Sequence, residues 1–422
     1  MQVLSIINLI LGALFLMCYA FQLAYLFIPF IKKLPAHKEA SLHRYCIIVC
    51  ARNEENVISD LYESIRRQDY PAELIDVVLV ADNCNDKTAE VGRALGMTVF
   101  ERFNREQIGK GYALDYGLAR AAETFGEDHF DAFIVFDADN ILTENYVTEI
   151  NKTFSDGYEV ITCYRNSKNY GDSWLAAGSG MWFLRDSKYL NGSRMRIGAC
   201  PQVSGTGFLF SNSIRKEYGG WPFHTMTEDY EFTCHSVIRG KKFGYCETAR
   251  FYDEQVSTFA QSWNQRLRWC KGGLQSFVLF LKPLFRGLFS RNFISCYDMI
   301  MSIAPAYFLS IIATVVNAVG VAVLLCTGHD VWQTLLPLVP ILGGAYAFVF
   351  INGLITTVTE WRHIRASAFK KILYLFTFPF YMVTFIPAAF VAVFKKDISW
   401  KPIHHKSADS GMAEQMQQKD DK

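Results

Sequence analysis

Apolar residues follow three rhythms along this chain. Residues 1 to 31 run without one charged side chain and are closed by Lys32 and Lys33. That exceeds the ~20 residues a helix needs to cross a bilayer. The positive charge follows the apolar run, whereas a cleaved secretory signal would carry it in front. The pattern predicts an uncleaved anchor over 1–32, with the N-terminus outside and the chain from Lys32 inside. Between 44 and 255 the rhythm shortens. Apolar runs at 45–51, 75–81 and 130–136 read as buried parallel strands, and patterns of helical period follow at about 54–67, 86–95, 109–124 and 143–155. Such alternation predicts an α/β unit, a parallel sheet with helices on both faces.

The third rhythm returns to long apolar runs. No Lys or Arg stands between Asn292 and Trp361. Stretches at about 298–326 and 333–358 flank a polar joint, Gly328-His329-Asp330, and read as a transmembrane hairpin. Its joint lies outside, and Arg286, Arg291, Arg362 and Arg365 lie inside. A further uncharged run, 372–394, contains Pro379 and Pro387 and has Lys370-Lys371 and Lys395-Lys396 at its ends. Both a full crossing and an interfacial or re-entrant path fit it, giving three or four crossings. The sequence thus divides into an anchor (1–32), a cytoplasmic α/β unit (44–255), membrane-proximal amphipathic helices (256–290), a C-terminal transmembrane region (291–396) and a polar cytoplasmic tail (397–422).

Composition narrows the function classes. Lys plus Arg number 42 against 41 Asp plus Glu, so no strongly basic surface is available for nucleic acid. The 11 cysteines include no CxxC pair and no Cys/His spacing suited to zinc, which fits a reducing compartment. A transporter is disfavoured, because the apolar runs carry no cluster of buried charge.

Ligands of open α/β sheets bind at the carboxyl ends of the strands. The first strand ends in Ala51-Arg52-Asn53-Glu54, the second in Asp82-Asn83, and the third in Asp137-Ala138-Asp139-Asn140. Two aspartates one residue apart at such an end can reach a divalent cation and a ribose from the same edge. A hard cation is commonly held by one or two carboxylates plus phosphate oxygens. Gly109-Lys110-Gly111 opens a helical pattern, where lysine and free amides can meet a phosphate. Thr227-Glu228-Asp229 opens another. Those residues suit a helix cap, but an inverting glycosyl transfer also needs a carboxylate to take the acceptor's proton. Within Gln265-Arg266-Leu267-Arg268-Trp269, the first, fourth and fifth residues project from one helical face. The arginine suits a diphosphate, the tryptophan a sugar face and the glutamine its hydroxyls. An interfacial amphipathic helix with snorkelling arginines explains the same residues.

Asp82, Asp137-Ala138-Asp139, Thr227-Glu228-Asp229 and Gln265–Trp269, in this order, resemble the membrane-integrated family-2 glycosyltransferases, the group of cellulose, hyaluronan and poly-N-acetylglucosamine synthases. The resemblance implies a GT-A α/β catalytic domain set between transmembrane helices, and a UDP-sugar donor. It implies that Asn53, Glu54 and Asp82 hold uridine, that Lys110 and Arg268 approach the diphosphate, that Asp137 contacts the nucleotide, and that Asp139 holds Mg²⁺ or Mn²⁺. Asp229, with Glu228 beside it, becomes the general base. Gly205 and Thr206 of Ser204–Gly207, with Gln265 and Trp269, become acceptor contacts. Trp400-Lys401-Pro402 and His404-His405 resemble a tryptophan-containing segment that follows the last apolar run. The expected activity is addition of sugar to a growing β-linked envelope polysaccharide at the cytoplasmic membrane face. Single transfer to a lipid or polyprenyl phosphate is the alternative, and a non-catalytic sugar-nucleotide scaffold a third. The UDP-sugar donor, the glycan or glycolipid acceptor and the bilayer are the expected partners; an accessory subunit and a homo-oligomer are left open by the sequence.

Overall fold

The computed structural model describes residues 2–303 and 305–395. The segment with Trp400, His404 and His405 lies outside the described residues. The chain begins with α1 (Gln2–Ile31) and enters the α/β unit through β1 (Tyr45–Ala51), α2 (Ile58–Arg66), β2 (Ile75–Asp82), α3 (Thr88–Leu95) and β3 (Thr98–Arg102). It continues through α4 (Lys110–Phe125), β4 (Ala132–Asp137), β5 (Ile141–Leu142), α5 (Tyr146–Ser155) and β6 (Val160–Ser167). Next come α6 (Trp174–Arg185), a π-helical turn at Asp186–Asn191, α7 (Gly192–Ile197), β7 (Phe208–Ser211), α8 (Asn212–Tyr218), α9 (Glu228–Ile238) and β8 (Phe243–Asp253). The long α10 (Phe259–Gly287) leads to α11 (Phe293–Ile303), α12 (Pro305–Cys326), α13 (Val331–Leu335), α14 (Leu338–Thr359), α15 (Ala368–Val383) and α16 (Phe385–Phe394).

The eight strands form one sheet in the order β3-β2-β1-β4-β7-β6-β8-β5. Its first half is parallel, as the apolar runs foretell. The expectation of a wholly parallel sheet needs correction, because β7 runs antiparallel to both β4 and β6, and β5 antiparallel to β8. Side chains alternate across β1: Cys46 and Ile48 join the cluster under α4 and α9, while Tyr45, Ile47 and Val49 join the one under α2 and α5. Burial on both faces makes this strand continuously apolar in sequence.

Among the described residues, four stretches are long and apolar enough to cross a membrane: Gln2–Ile31, Phe293–Cys326, Val331–Thr359 and Ala368–Phe394. Their outward faces expose large apolar side chains such as Leu9, Val319, Val358 and Phe376. Polar contacts fasten these helices to each other and to the α/β unit. Asn8 of α1 and Asn317 of α12 exchange amide hydrogen bonds of 2.9 and 2.8 Å. Buried Arg194 binds both oxygens of Asp298 on α11 at 2.8 Å, and Tyr25 of α1 donates to the same carboxylate at 3.0 Å. Lys188 bridges Glu360, just past α14, to Glu247 of β8 at 3.0 and 3.2 Å. Breaking one side of such a buried pair typically costs about 3–5 kcal/mol, because an uncompensated charge remains.

The stretch 368–394 is bent at Thr384, between α15 and α16. Both of its ends meet the rest of the protein. Lys370 donates to Gly171 O at 2.7 Å, and Lys271 of α10 donates to Lys395 O at 2.6 Å. Ala388, Ala389 and Ala392 of α16 pack on Leu267 and Cys270 of α10.

Candidate active site

The parallel strands point their carboxyl ends at one rim, and the chain turns sharply there. Asn53 and Asn83, which follow β1 and β2, have left-handed φ values of 60° and 53°, a conformation asparagine tolerates better than most residues. Beyond the rim lies a cavity of about 1980 Å³. Its soluble end is walled by Arg52, Asp82, Lys110, Asp137, Asp139 and Asp253, and its middle by Gly205, Glu228, Asp229, Gln265, Arg268 and Trp269. Its far end is lined by apolar side chains of α1, α12, α14 and α15, among them Phe15, Ala313, Leu342 and Phe380.

Most expected site residues therefore share one space. Lys110 pairs with Asp137 and donates to Gly205 O at 2.8 Å. Asp82 Oδ1 accepts from Arg102 at 2.7 Å and from the Asn83 amide at 3.1 Å, leaving Oδ2 available on the wall. Arg102 also donates to Gln107 O at 2.8 Å, which fixes the loop leading to Gly109-Lys110. Gln265, Arg268 and Trp269 line the cavity, while Arg266 and Leu267 between them are buried in protein. The i, i+3, i+4 face thus looks into the site, as the spacing predicts. Trp269 lies parallel to Phe385 at 6.3 Å and edge-on to Phe183 at 6.0 Å, and the Arg165 guanidinium covers the Phe183 ring at 3.5 Å.

Three expected residues stand elsewhere. Asn53 and Glu54 do not reach the wall. Asn53 Oδ1 accepts from Asn85 N at 2.9 Å, and Glu54 N donates to Thr88 Oγ1 at 2.8 Å, so both brace the loops behind the rim. Their neighbour Arg52 lines the cavity instead. Thr206 is buried, accepts from Asp137 N at 2.9 Å and donates to Asn140 Oδ1. It fixes the Asp137–Asn140 turn and does not face the cavity; its neighbour Gly205 does.

Asp229 and Glu228 occupy the first turn of α9. Burial and the adjacent Asp229 push the Glu228 carboxyl up to about 7. Burial also raises Asp229, opposed by the amide of Tyr230 and the charge of Lys110. Two glycines let this turn approach its neighbours. A Cβ on Gly111 would overlap Phe223 O, and one on Gly272 of α10 would overlap the Thr227 side chain. Gly272→Ala is accordingly expected to destabilise the fold by about 1–3 kcal/mol. Thermal melts should show that Thr227→Gly in the same chain recovers part of the loss, a coupling expected only of residues in contact.

A metal can be tested against the donors present. Asp139 is buried; Glu254 N donates to its Oδ2 at 2.7 Å, and Lys168 to its backbone O at 2.6 Å. Asp253, at the end of β8, is held through Oδ2 by Arg165 Nε at 2.8 Å, while its buried Oδ1 has no hydrogen-bond partner among the described residues. Burial, with Asp139 adding to it, raises the Asp253 carboxyl, although Arg165 opposes the shift. Two crowded carboxylates with an orphaned oxygen suit a hard cation that takes its remaining ligands from phosphate and water. Among the described residues no group of three His, Cys, Asp or Glu is arranged around one point. Asp253 escaped the sequence reading, because Glu247, Thr248 and Arg250 interrupt the apolar run of the strand that it ends.

Comparison with known proteins follows the same lines. The model of a family described as glycosyltransferase-like family 2 matches residues 43–272, more than half of the chain. A beta-monoglucosyldiacylglycerol synthase of Synechocystis sp. is 27% identical over 239 residues, 55% of this chain and 48% of that protein. A poly-beta-1,6-N-acetyl-D-glucosamine synthase of Staphylococcus aureus is 22% identical over 284 residues, 66% of each chain. This chain therefore spans about half the length of the first relative and just under two thirds of the second. A mannosyltransferase from Pyrobaculum calidifontis, solved in complex with GDP-Man and Mn²⁺, is similar over 92% of this chain and 99% of its own. Its TM-score of 0.60 at 17% identity is a likeness of fold.

Proposed function

The chain belongs to glycosyltransferase family 2, and from that premise we propose that it moves one sugar from a UDP-sugar to a lipid acceptor drawn from the bilayer, with inversion at the anomeric carbon. The observation that carries this reading is the continuous cavity, which runs from the acidic strand ends past Asp229 to apolar side chains of four membrane helices. A lipid can keep its chains among those side chains while its headgroup reaches the carboxylates. The 27% identity to a glucosyldiacylglycerol synthase supports the same acceptor class.

In this mechanism Asp229 takes the proton of the acceptor hydroxyl, whose oxygen attacks the anomeric carbon from the side opposite the diphosphate. The bond to the phosphate oxygen breaks and UDP departs. Lys110 and Arg268 stabilise the charge that develops there, an effect typically worth several kcal/mol. Arg268 is suited to this role: it lines the cavity, forms no ion pair among the described residues, and feels the charges of Glu228, Asp137 and Asp229. Asp139 and Asp253 would hold a Mg²⁺ or Mn²⁺ ion, whose chemistry is to neutralise the diphosphate.

Basic flanks support a cytoplasmic site. Contacts of both ends of 368–394 with Gly171 and Lys271 favour an interfacial path for that stretch, and thus three crossings. A polymer remains the second reading, favoured by the Trp269, Phe183 and Phe385 cluster, which could stack along a glycan. The test uses purified protein in lipid nanodiscs with a panel of nucleotide-sugars, Mg²⁺ or Mn²⁺, and graded diacyl lipid acceptor. UDP release should rise with the acceptor fraction. Release that ignores lipid but depends on added oligosaccharide would refute the lipid reading.

A further inference from the structure

Arg185 closes α6 where the helix passes into the π-helical turn at Asp186–Asn191, a distortion that often accompanies functional positions. Its side chain lines the cavity and is 8% exposed. Two neutral amides hold it. Gln22 Oε1 of α1 accepts from Nη2 at 2.9 Å, and Asn352 Oδ1 of α14 accepts from Nε at 3.4 Å. Among the described residues it forms no ion pair, whereas Arg194, nearby in the same segment, is paired with Asp298. The adjacent Asp186 carboxylate acts on Arg185 through space, but takes its hydrogen bonds from Asn191 at 3.3 Å and Ser204 at 3.2 Å.

A guanidinium has five N–H donors, and these contacts use two. Nη1 has no hydrogen-bond partner among the described residues and is not sealed in protein, and the side chain lines the cavity. A charge at such a depth is costly unless something pairs with it. Position narrows what that can be. Gln22 lies about 13 Å of helix rise before Ile31, and Asn352 about 10 Å before Thr359, at ~1.5 Å per residue. The guanidinium therefore stands two to three helical turns inside the ends of two uncharged helices, away from the basic flanks that follow them. It is linked to the acceptor side of the site through Asp186 and Ser204, next to Gly205, whose Cβ position is 3.7 Å from Asp229 Oδ2.

We propose that Arg185 is the seat of a lipid phosphate: the cavity takes a phosphate-bearing lipid whose phosphate oxygens occupy the open guanidinium donors. This rests on the lipid reading above and sharpens it, since a neutral diacylglycerol leaves those donors unmet. The phosphate belongs either to the acceptor itself or to a second phospholipid beside it.

The test separates binding from turnover. Asp229→Asn protein, which holds substrates without transferring sugar, is examined by native mass spectrometry with phosphatidylglycerol and with diacylglycerol of the same acyl chains. Retention of phosphatidylglycerol should exceed that of diacylglycerol at least ten-fold. Arg185→Gln added to this chain should abolish the preference, and Arg185→Lys should keep part of it, while UDP binding reports that each variant is folded. Equal retention of the two lipids by the parent, or an undiminished preference in folded Arg185→Gln, overturns the proposal. Should Arg185→Gln not fold, the parent's preference and its partial retention in Arg185→Lys decide the matter. With active enzyme, labelled sugar on phosphatidylglycerol assigns the phosphate to the acceptor. Label on diacylglycerol, with phosphatidylglycerol lowering the KM for lipid, assigns it to a bystander. Label on neither defeats the lipid-acceptor function but leaves the binding result standing.

Discussion

Asp229→Asn is expected to lower sugar transfer by about 10²–10⁴-fold, the usual worth of a positioned general base. Asparagine keeps the size and the first-turn position but cannot accept the hydroxyl proton. UDP binding should change no more than about two- to three-fold, because Asp229 Oδ2 stands beside Gly205, 3.7 Å from its Cβ position, and is assigned to the acceptor hydroxyl rather than to the nucleotide. The pH profile adds a signature. With Glu228 near 7 and Asp229 raised beside it, the pair takes up a proton as pH falls through neutrality, and the rate should fall with it. Raised carboxyl pKa values mean that the folded state binds more protons than the unfolded one, so fold stability rises as pH drops through this window. The lost rate therefore reports the base and not unfolding. Glu228→Gln removes a like charge, and the acid limb should move to lower pH. An unmoved limb would detach Glu228 from the base, and near-normal transfer by Asp229→Asn would remove Asp229 from the mechanism.

Asp139→Asn is expected to lower transfer by about 10²–10³-fold, the scale of removing preorganised stabilisation from a developing charge. Chelation should abolish transfer, and Mg²⁺ or Mn²⁺ should restore it. Asp253→Asn provides the sharper check, because Oδ1 of that residue has no hydrogen-bond partner among the described residues. Mn²⁺ affinity in the presence of UDP should fall at least about ten-fold, measured by calorimetry, while UDP alone binds as before. Unchanged Mn²⁺ affinity in both variants would place the ion elsewhere.

Much of this site was legible in the sequence because strands buried on both faces are apolar throughout and stop abruptly at Asp82 and Asp137. The helix face of Gln265, Arg268 and Trp269 was legible for a similar reason: three residues at fixed spacing can share only one direction. What could not be read is which side chains local bonds consume. The Asn53 and Thr206 side chains look as free as their neighbours, yet they bond to loop atoms behind the rim. The second half of the sheet was hidden by its construction. β7 has four residues, too few to display a period, and the pairing of β6 with β8 shifts register between Cys163 and Tyr164. Arg185 was invisible as a site residue, since its partners Gln22 and Asn352 lie on helices hundreds of residues apart.

The proposed reaction passes a single sugar, with inversion, from nucleotide to lipid within this cavity. Mass and anomeric NMR analysis of lipid extracted after turnover with an α-linked UDP-sugar tests it most directly. The expected product is a lipid carrying a single β-linked sugar. A ladder of polymer, or an α-linked product, would contradict it.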